Sequence, residues 1–494
     1  MNNGIRLLNQ AMASTAGLRL LVVGMTALAD LLFYRQPSGW PLGVYLLLAG
    51  LLLAMRPAPD GRRRALFPVL LVLSVATGAV VYRGGALAPL LAASALVLLV
   101  GARAEPGLRH AEDWARAATC VPDRMLRAHL RDRRLLRRRR GASRRAAGSM
   151  ARAVLAWTIP VVLAAVFLWL FCLANPVIER GVGQVLDAFV KFLKWLRLPE
   201  ILRVLFWLAV ASGLWGVWRV RSERIRRGPT PPPLPVAPAP PESRPLLALR
   251  CLGLFNVLFA VETATDLVYL WGGRALPGGM TYAAYAHRGA YPLLATALLS
   301  AAITLFFFRP ANAANRLVAA RALVVAWLAQ NVLLTVSAAW RLHLYVDVYT
   351  LTQLRVAAFI WMGLVAFGLL SIGWRIVRGR DNRWLLDVNA IVLFAVLLAC
   401  AWWPMEGFIA RHNVRCCREA GGAGPSLDID YLKKLGPEAI PALSDFCRRD
   451  VAKSEFARQA AIDLTNQLRK SLENPRAWTW RRLRLLQNAE ETGP

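Results

Sequence analysis

Apolar residues run through this chain in long blocks, most of them near the length a helix needs to cross a lipid bilayer. They fall near 15–33, 40–55, 66–82, 86–102, 153–174, 200–219, 246–271, 288–308, 321–340, 355–374 and 384–403. Lipid offers no partner to an unpaired backbone N–H or C=O, and a helix satisfies both within itself. The pattern therefore predicts an all-α fold, a polytopic transmembrane helical bundle of about 11 spans. After Pro404 the apolar positions become spaced among charges, which predicts a small helical extramembrane domain over 404–494.

The polar gaps between the blocks are not alike. Arginines crowd into 56–65 (Arg56, Arg62, Arg63, Arg64), 103–152 (Arg133, Arg134, Arg137, Arg138, Arg139, Arg140, Arg144, Arg145), 220–245 (Arg221, Arg224, Arg226, Arg227) and 375–383 (Arg375, Arg378, Arg380, Arg383). The alternate gaps at 34–39 and 83–85 are short and poor in cations. Cationic loops stay in the cytoplasm, so the N-terminus is expected inside and residues 404–494 outside, in the periplasm of a Gram-negative cell. The expected location is the inner membrane.

Linear organisation follows. Residues 1–102 read as a four-span segment and 103–152 as a basic cytoplasmic amphipathic loop that can lie on anionic headgroups. Residues 153–219 carry two spans, with an interfacial helix over 176–199. A Pro-rich linker, 220–245, precedes a five-span back half, 246–403. In the C-terminal domain, GPEAIPAL and ARQAAIDLTNQL resemble one helical hairpin of a repeat protein, which cannot bury both its faces alone. It is expected to pack on the membrane bundle or on a protein partner. Trp478, Trp480, Arg481, Arg482 and Arg484 form an amphipathic tail suited to a membrane surface.

Composition changes one point. A net charge of +32 is what a nucleic-acid binder would carry. Here the excess lies beside apolar spans, where orientation explains it, and no nucleic-acid partner is expected.

Charges inside the apolar blocks are costly and mark sites or staples. Glu262 and Asp266 stand four apart on one helical face. Arg274, His287, Arg288, Arg341, His343 and Arg355 are placed at the same outer level, with Tyr282, Tyr285, Tyr345, Asp347 and Tyr349 among them. Together these predict an outward-facing polar pocket in the back half. Asp30, Gln330, Asn331, Asp387 and Asn389 read as interhelical hydrogen-bond partners.

No Gly-rich phosphate loop, nucleophile elbow or CxxC pair is present, and the five histidines are scattered, so neither cofactor nor metal is expected. Cys416, Cys417 and Cys447 fall on the outer side, where a disulfide from Cys447 to Cys416 or Cys417 is expected to persist.

Three segments carry a resemblance. They are TYAAYAHRGAYPLL at 281–294, RLHLYVDVYTLTQLR at 341–355, and RHNV followed by LDIDYLKKLGPEAIPAL over 411–443. In this order they resemble the bacterial membrane proteins of the domain-of-unknown-function (DUF) families 4153 and 4173. Thr350 stands where that family usually has glycine. The resemblance implies the membrane fold and the outer pocket, and no substrate. Two classes of function fit these residues. One is a non-catalytic envelope sensor, scaffold or regulator. The other binds or processes an envelope lipid or lipid-linked sugar, with Glu262 or Asp266 as base or cation ligand and Arg288, Arg341 and Arg355 on phosphate. A proton-coupled transporter is a third alternative.

Overall fold

The computed structural model describes residues 15–37, 39–56, 63–104, 108–139, 182–184, 187, 200–220, 243–272, 295–296, 298–300, 318–449 and 451–492. Helices dominate, and no strand occurs among these residues. In chain order they are α1 (Thr15–Phe33), α2 (Trp40–Met55), α3 (Arg63–Tyr82), α4 (Leu87–Ala104), α5 (Ala111–Arg139), α6 (Ile201–Arg219), α7 (Ser243–Thr265), α8 (Val318–Tyr349), α9 (Gln353–Arg378) and α10 (Asn382–Trp402). The C-terminal domain adds α11 (Met405–Cys416), α12 (Ile429–Lys434), α13 (Ile440–Cys447), α14 (Ser454–Leu472) and α15 (Trp480–Thr492).

Seven of the described helices are long and apolar enough to cross a membrane, and Trp40–Met55 and Leu66–Tyr82 are shorter apolar ones. The spans read at 153–174 and 288–308, the interfacial helix at 176–199 and the linker at 220–245 lie outside the described residues, apart from a few positions.

One boundary differs from the sequence reading. The apolar block read at 321–340 stops before Arg341, yet α8 continues to Tyr349. Neither Gly nor Pro interrupts that run, and Arg341 finds a carboxylate partner. At 32 residues, α8 is about 48 Å long, well beyond the roughly 30 Å hydrocarbon layer.

The chain divides into two compact units, residues 1–35 with 119–222 and residues 36–118 with 223–494. Helix α1 falls in the first unit and α2, α3 and α4 in the second. In the first unit, α1 packs along α6. Asp30 accepts two hydrogen bonds from Arg203, at 2.9 and 2.5 Å. The later turns of α5 also pack on α6, where Asp132 accepts from Arg219 and from the Trp215 indole. Burial alone would raise the Asp132 carboxyl, but these bonds outweigh it and hold it below its ordinary value.

In the second unit, α2, α3, α4 and α10 run up and down. At one end Arg103 reaches the carbonyls of Ala54 and Arg56, and Asp387 accepts from the His110 ring and the Ala111 N–H. Leu73 fills the space a side chain at Gly50 would need, which lets α2 and α3 close up. At the opposite end Tyr82 stacks on Trp402, 5.3 Å between centroids. Helices α7, α8 and α9 form a second layer whose core holds Trp327, Leu328, Leu369 and Ile372. Polar residues bond across helices: Gln330 of α8 to the Asn256 carbonyl of α7, and Asn389 of α10 to Ser371 of α9.

The C-terminal domain does not stand apart. Its core of Ile409, Leu432, Ile440, Leu443, Phe446 and Leu464 is continuous with Val346, Leu351 and Val356 at the α8–α9 turn. The helical hairpin α13–α14 packs within the domain, against α11, α12 and α15, and α11 in turn meets α9 of the bundle.

Candidate functional site

Of the residues expected to form one pocket, the described ones fall into separate groups. Tyr282, Tyr285, His287 and Arg288 lie outside the described residues. Glu262 and Asp266 do meet Arg341. Asp266 opens a short π-helical segment, Asp266–Trp271, that prolongs α7. Its carboxylate is 1% exposed and pairs with the Arg341 guanidinium, itself 3% exposed. Glu262, one turn away, stays 44% exposed and its carboxylate lies 3.6 Å from Arg341. One buried arginine thus serves two carboxylates, and the inner one takes the direct bond. Such a pair staples α7 to α8 and would leave a buried charge if either partner were removed.

Tyr345, Tyr349 and Arg355 form a second group, at the turn between α8 and α9. The Arg355 guanidinium caps the end of α8, donating to the carbonyls of Tyr349 and Thr350, and lies over the Tyr345 ring, 4.6 Å from its centroid. A cation at a helix C-terminus satisfies carbonyls that have no partner within the helix. Thr350 adopts φ 70°, the left-handed region that favours glycine. Thr352 then caps α9, its side chain accepting from the Arg355 N–H.

His343 and Asp347 form a third group, 3.9 Å apart on the exposed side of α8. Near them a small cleft is lined by Asp347, Thr350, His412, Asn413 and Cys416. Its cavity volume is about 20 Å³, far below the roughly 300–1,000 Å³ of ligand pockets. Burial holds the His412 imidazole below its ordinary value, with Asp347 pulling the other way and His343 adding to the depression. Among the described residues no group of three or more His, Cys, Asp or Glu is placed to hold a metal.

The joint between domain and bundle passes beside that cleft, through residues whose roles the sequence reading did not assign. Asn413 accepts from the Leu351 N–H at 2.8 Å and donates to the Leu351 carbonyl at 3.0 Å. The Tyr431 hydroxyl accepts from the Gln353 N–H at 3.0 Å. Leu351, Gln353, Asn413 and Tyr431 all belong to the second and third of the resembling segments, so the fold brings those segments together. On the other side, Arg83 pairs with Glu406 and donates to the Trp403 carbonyl. The backbone of 476–478 packs against Gly39 so closely that any side chain there would collide with the Arg476 carbonyl. Trp40 donates its N–H to the Trp478 carbonyl and its indole to the Pro475 carbonyl.

The expected disulfide is not formed. Cys416, Cys417 and Cys447 are free thiols. The two buried ones bond locally, Cys417 to the Val414 carbonyl and Cys447 to the Ser454 carbonyl, and burial raises both thiols above their ordinary value.

No curated protein and no solved structure matches this chain. A family model does, over residues 23–446, spanning both compact units and the joint with α11–α13. The chain therefore belongs to the family described as a domain of unknown function, DUF4153.

Proposed function

We propose that this protein is a non-catalytic component of the bacterial inner membrane, a sensor, scaffold or regulator of the envelope. Its N-terminus lies in the cytoplasm and its helical domain in the periplasm. The observation that carries this reading is the use already made of its charges. Arg341 is committed to Asp266, and Arg355 to the carbonyls of its own turn. What the fold builds with care is the joint, where Asn413 and Tyr431 hold the α8–α9 turn. A domain clamped to a hairpin can pass a displacement from one to the other. The basic helix α5 adds a lipid partner: Leu126 and Leu130 are exposed beside Arg127 and Arg133, a surface suited to anionic headgroups.

A second reading, binding of an envelope lipid or lipid-linked sugar, draws support from Glu262, which keeps an exposed carboxylate beside a buried arginine within a spanning helix. Mass spectrometry of what co-purifies in mild detergent separates the two. A stoichiometric protein with no specific lipid supports the regulator. A specific lipid held by the wild type and lost in Glu262→Gln and Arg288→Ala supports the ligand site instead. Orientation is tested at Cys416, which is exposed. A membrane-impermeant maleimide should label it in spheroplasts and not in inverted vesicles.

A further inference from the structure

Residues 474–487 form an amphipathic tail with a core side and an outer side. Its core side holds the domain together: Ala477, Thr479 and Leu485 are buried, and Arg481 makes a two-pronged bond to Glu438. Its other side shows Trp478, 40% exposed, and Trp480, 57% exposed, with the Arg484 guanidinium over the Trp480 ring at 5.5 Å. Two large aromatics and a cation on a soluble domain need a reason.

The bundle supplies a level against which to place them. Along α8, Arg321 and Trp340 are separated by about 28 Å, and along α10 Trp384 and Trp402 by about 27 Å, at 1.5 Å per residue. Both match the roughly 30 Å hydrocarbon layer, whose borders collect tryptophan and arginine. Trp340 stacks on Trp271 at 5.7 Å, and both are exposed. Trp402 stacks on Tyr82, where α3 ends. Gly43 of α2 lies against Val80 and Val81 of α3, so Trp40 starts its helix at that same end. These aromatics mark one border, and Trp40 bonds directly to the Trp478 carbonyl.

We propose that Trp478, Trp480 and Arg484 seat the helical domain in the headgroup layer of the leaflet that faces it, with phospholipid phosphate as the partner of Arg484. The occupant follows from continuity with the aromatic border and from charge: an indole pair with a cation fits an anionic, half-wet layer. The domain then rests on two supports. One is the tail at the border, and the other is the α8–α9 turn. Tyr349 stands nine residues beyond Trp340, which is about 13 Å of helix. The proposal does not depend on which face of the membrane the domain occupies.

The test uses the full-length protein in nanodiscs of phosphatidylethanolamine and phosphatidylglycerol. An NBD fluorophore is placed at residue 480 by Trp480→Cys in a background whose seven native cysteines are replaced by Ser or Ala, with melting compared to wild type to verify the fold. Doxyl-labelled lipid should quench it several-fold more than aqueous iodide. Free quenching by iodide with none by doxyl lipid would put the tail in water and overturn the proposal. Protection from both would mean that protein covers it, and would overturn it equally. Should the variant fail to fold, wild-type protein with diazirine-headgroup lipids gives the same decision, by lipid adducts within 475–487 or their absence.

Discussion

Asn413 and Leu351 are joined by a two-way bond, side-chain amide to backbone, in which each supplies one donor and one acceptor. The pair is buried, so the bond has no competitor from water. Replacing Asn413 by Ala strands the N–H and C=O of Leu351, each costing about 1–3 kcal/mol when left unmade. The expected result for Asn413→Ala is a loss of at least about 2 kcal/mol, read as a lower thermal midpoint in detergent. A midpoint equal to wild type would show that the turn holds itself.

Thr350 offers the opposite experiment. A β-branched residue at φ 70° bears strain that glycine does not. Thr350→Gly should raise the thermal midpoint, by about 1 kcal/mol or less after the greater freedom of the unfolded chain is subtracted. A lower midpoint would mean that the threonine side chain holds the turn in some other way.

Asp266 and Arg341 separate structure from function. Asp266→Ala leaves a buried guanidinium without its carboxylate, at about 3–5 kcal/mol, and the variant should fail to accumulate in the membrane. The pair of substitutions Asp266→Leu with Arg341→Met should restore accumulation, because it removes both charges together. Glu262→Gln should accumulate normally, since Glu262 is half exposed and lies 3.6 Å from Arg341. Quantitative immunoblots of membrane fractions decide all three.

Acid should loosen the C-terminal domain through Glu419 and His412. Burial alone would raise Glu419, but hydrogen bonds from Ser426, from backbone N–H groups including that of Leu427, and from Lys453 outweigh it and hold it down to about 2. A carboxyl lowered on folding stabilises above its unfolded value, here 4.5, and that stability drains away as pH falls toward 2. His412 has the same sign. Its imidazole is kept below 6.5 by burial, so stability is lost as pH falls below that value. Thermal midpoints should fall from pH 7 to pH 3, and Glu419→Gln should flatten the lower part of that curve.

How much of this was legible in the chain depends on the range of the interaction. Nine apolar blocks are helices among the described residues, because hydropathy is a local property and lipid leaves the backbone few options. The Glu262–Asp266–Arg341 group was legible too, since spacing puts the acids on one face and the arginine at their level. The role of Arg355 was not, because whether an arginine faces a ligand or its own turn's carbonyls depends on a rotamer. The end of α8 was missed because a hydropathy boundary marks where lipid stops, not where the helix does. Arg83 with Glu406, and Gly39 with Arg476, join residues hundreds of positions apart. No local pattern announces such pairs.

The closeness of Gly39 to Arg476 also sets an order of events during synthesis. Trp40 enters the membrane early, while its partners at 475–478 are translated 435 positions later. Until then the head of α2 keeps an unclaimed N–H and indole at the membrane border. A contact made so late reports that nearly the whole second unit has been synthesised: a ribosome that stalls before residue 475 leaves the seam at α2 open.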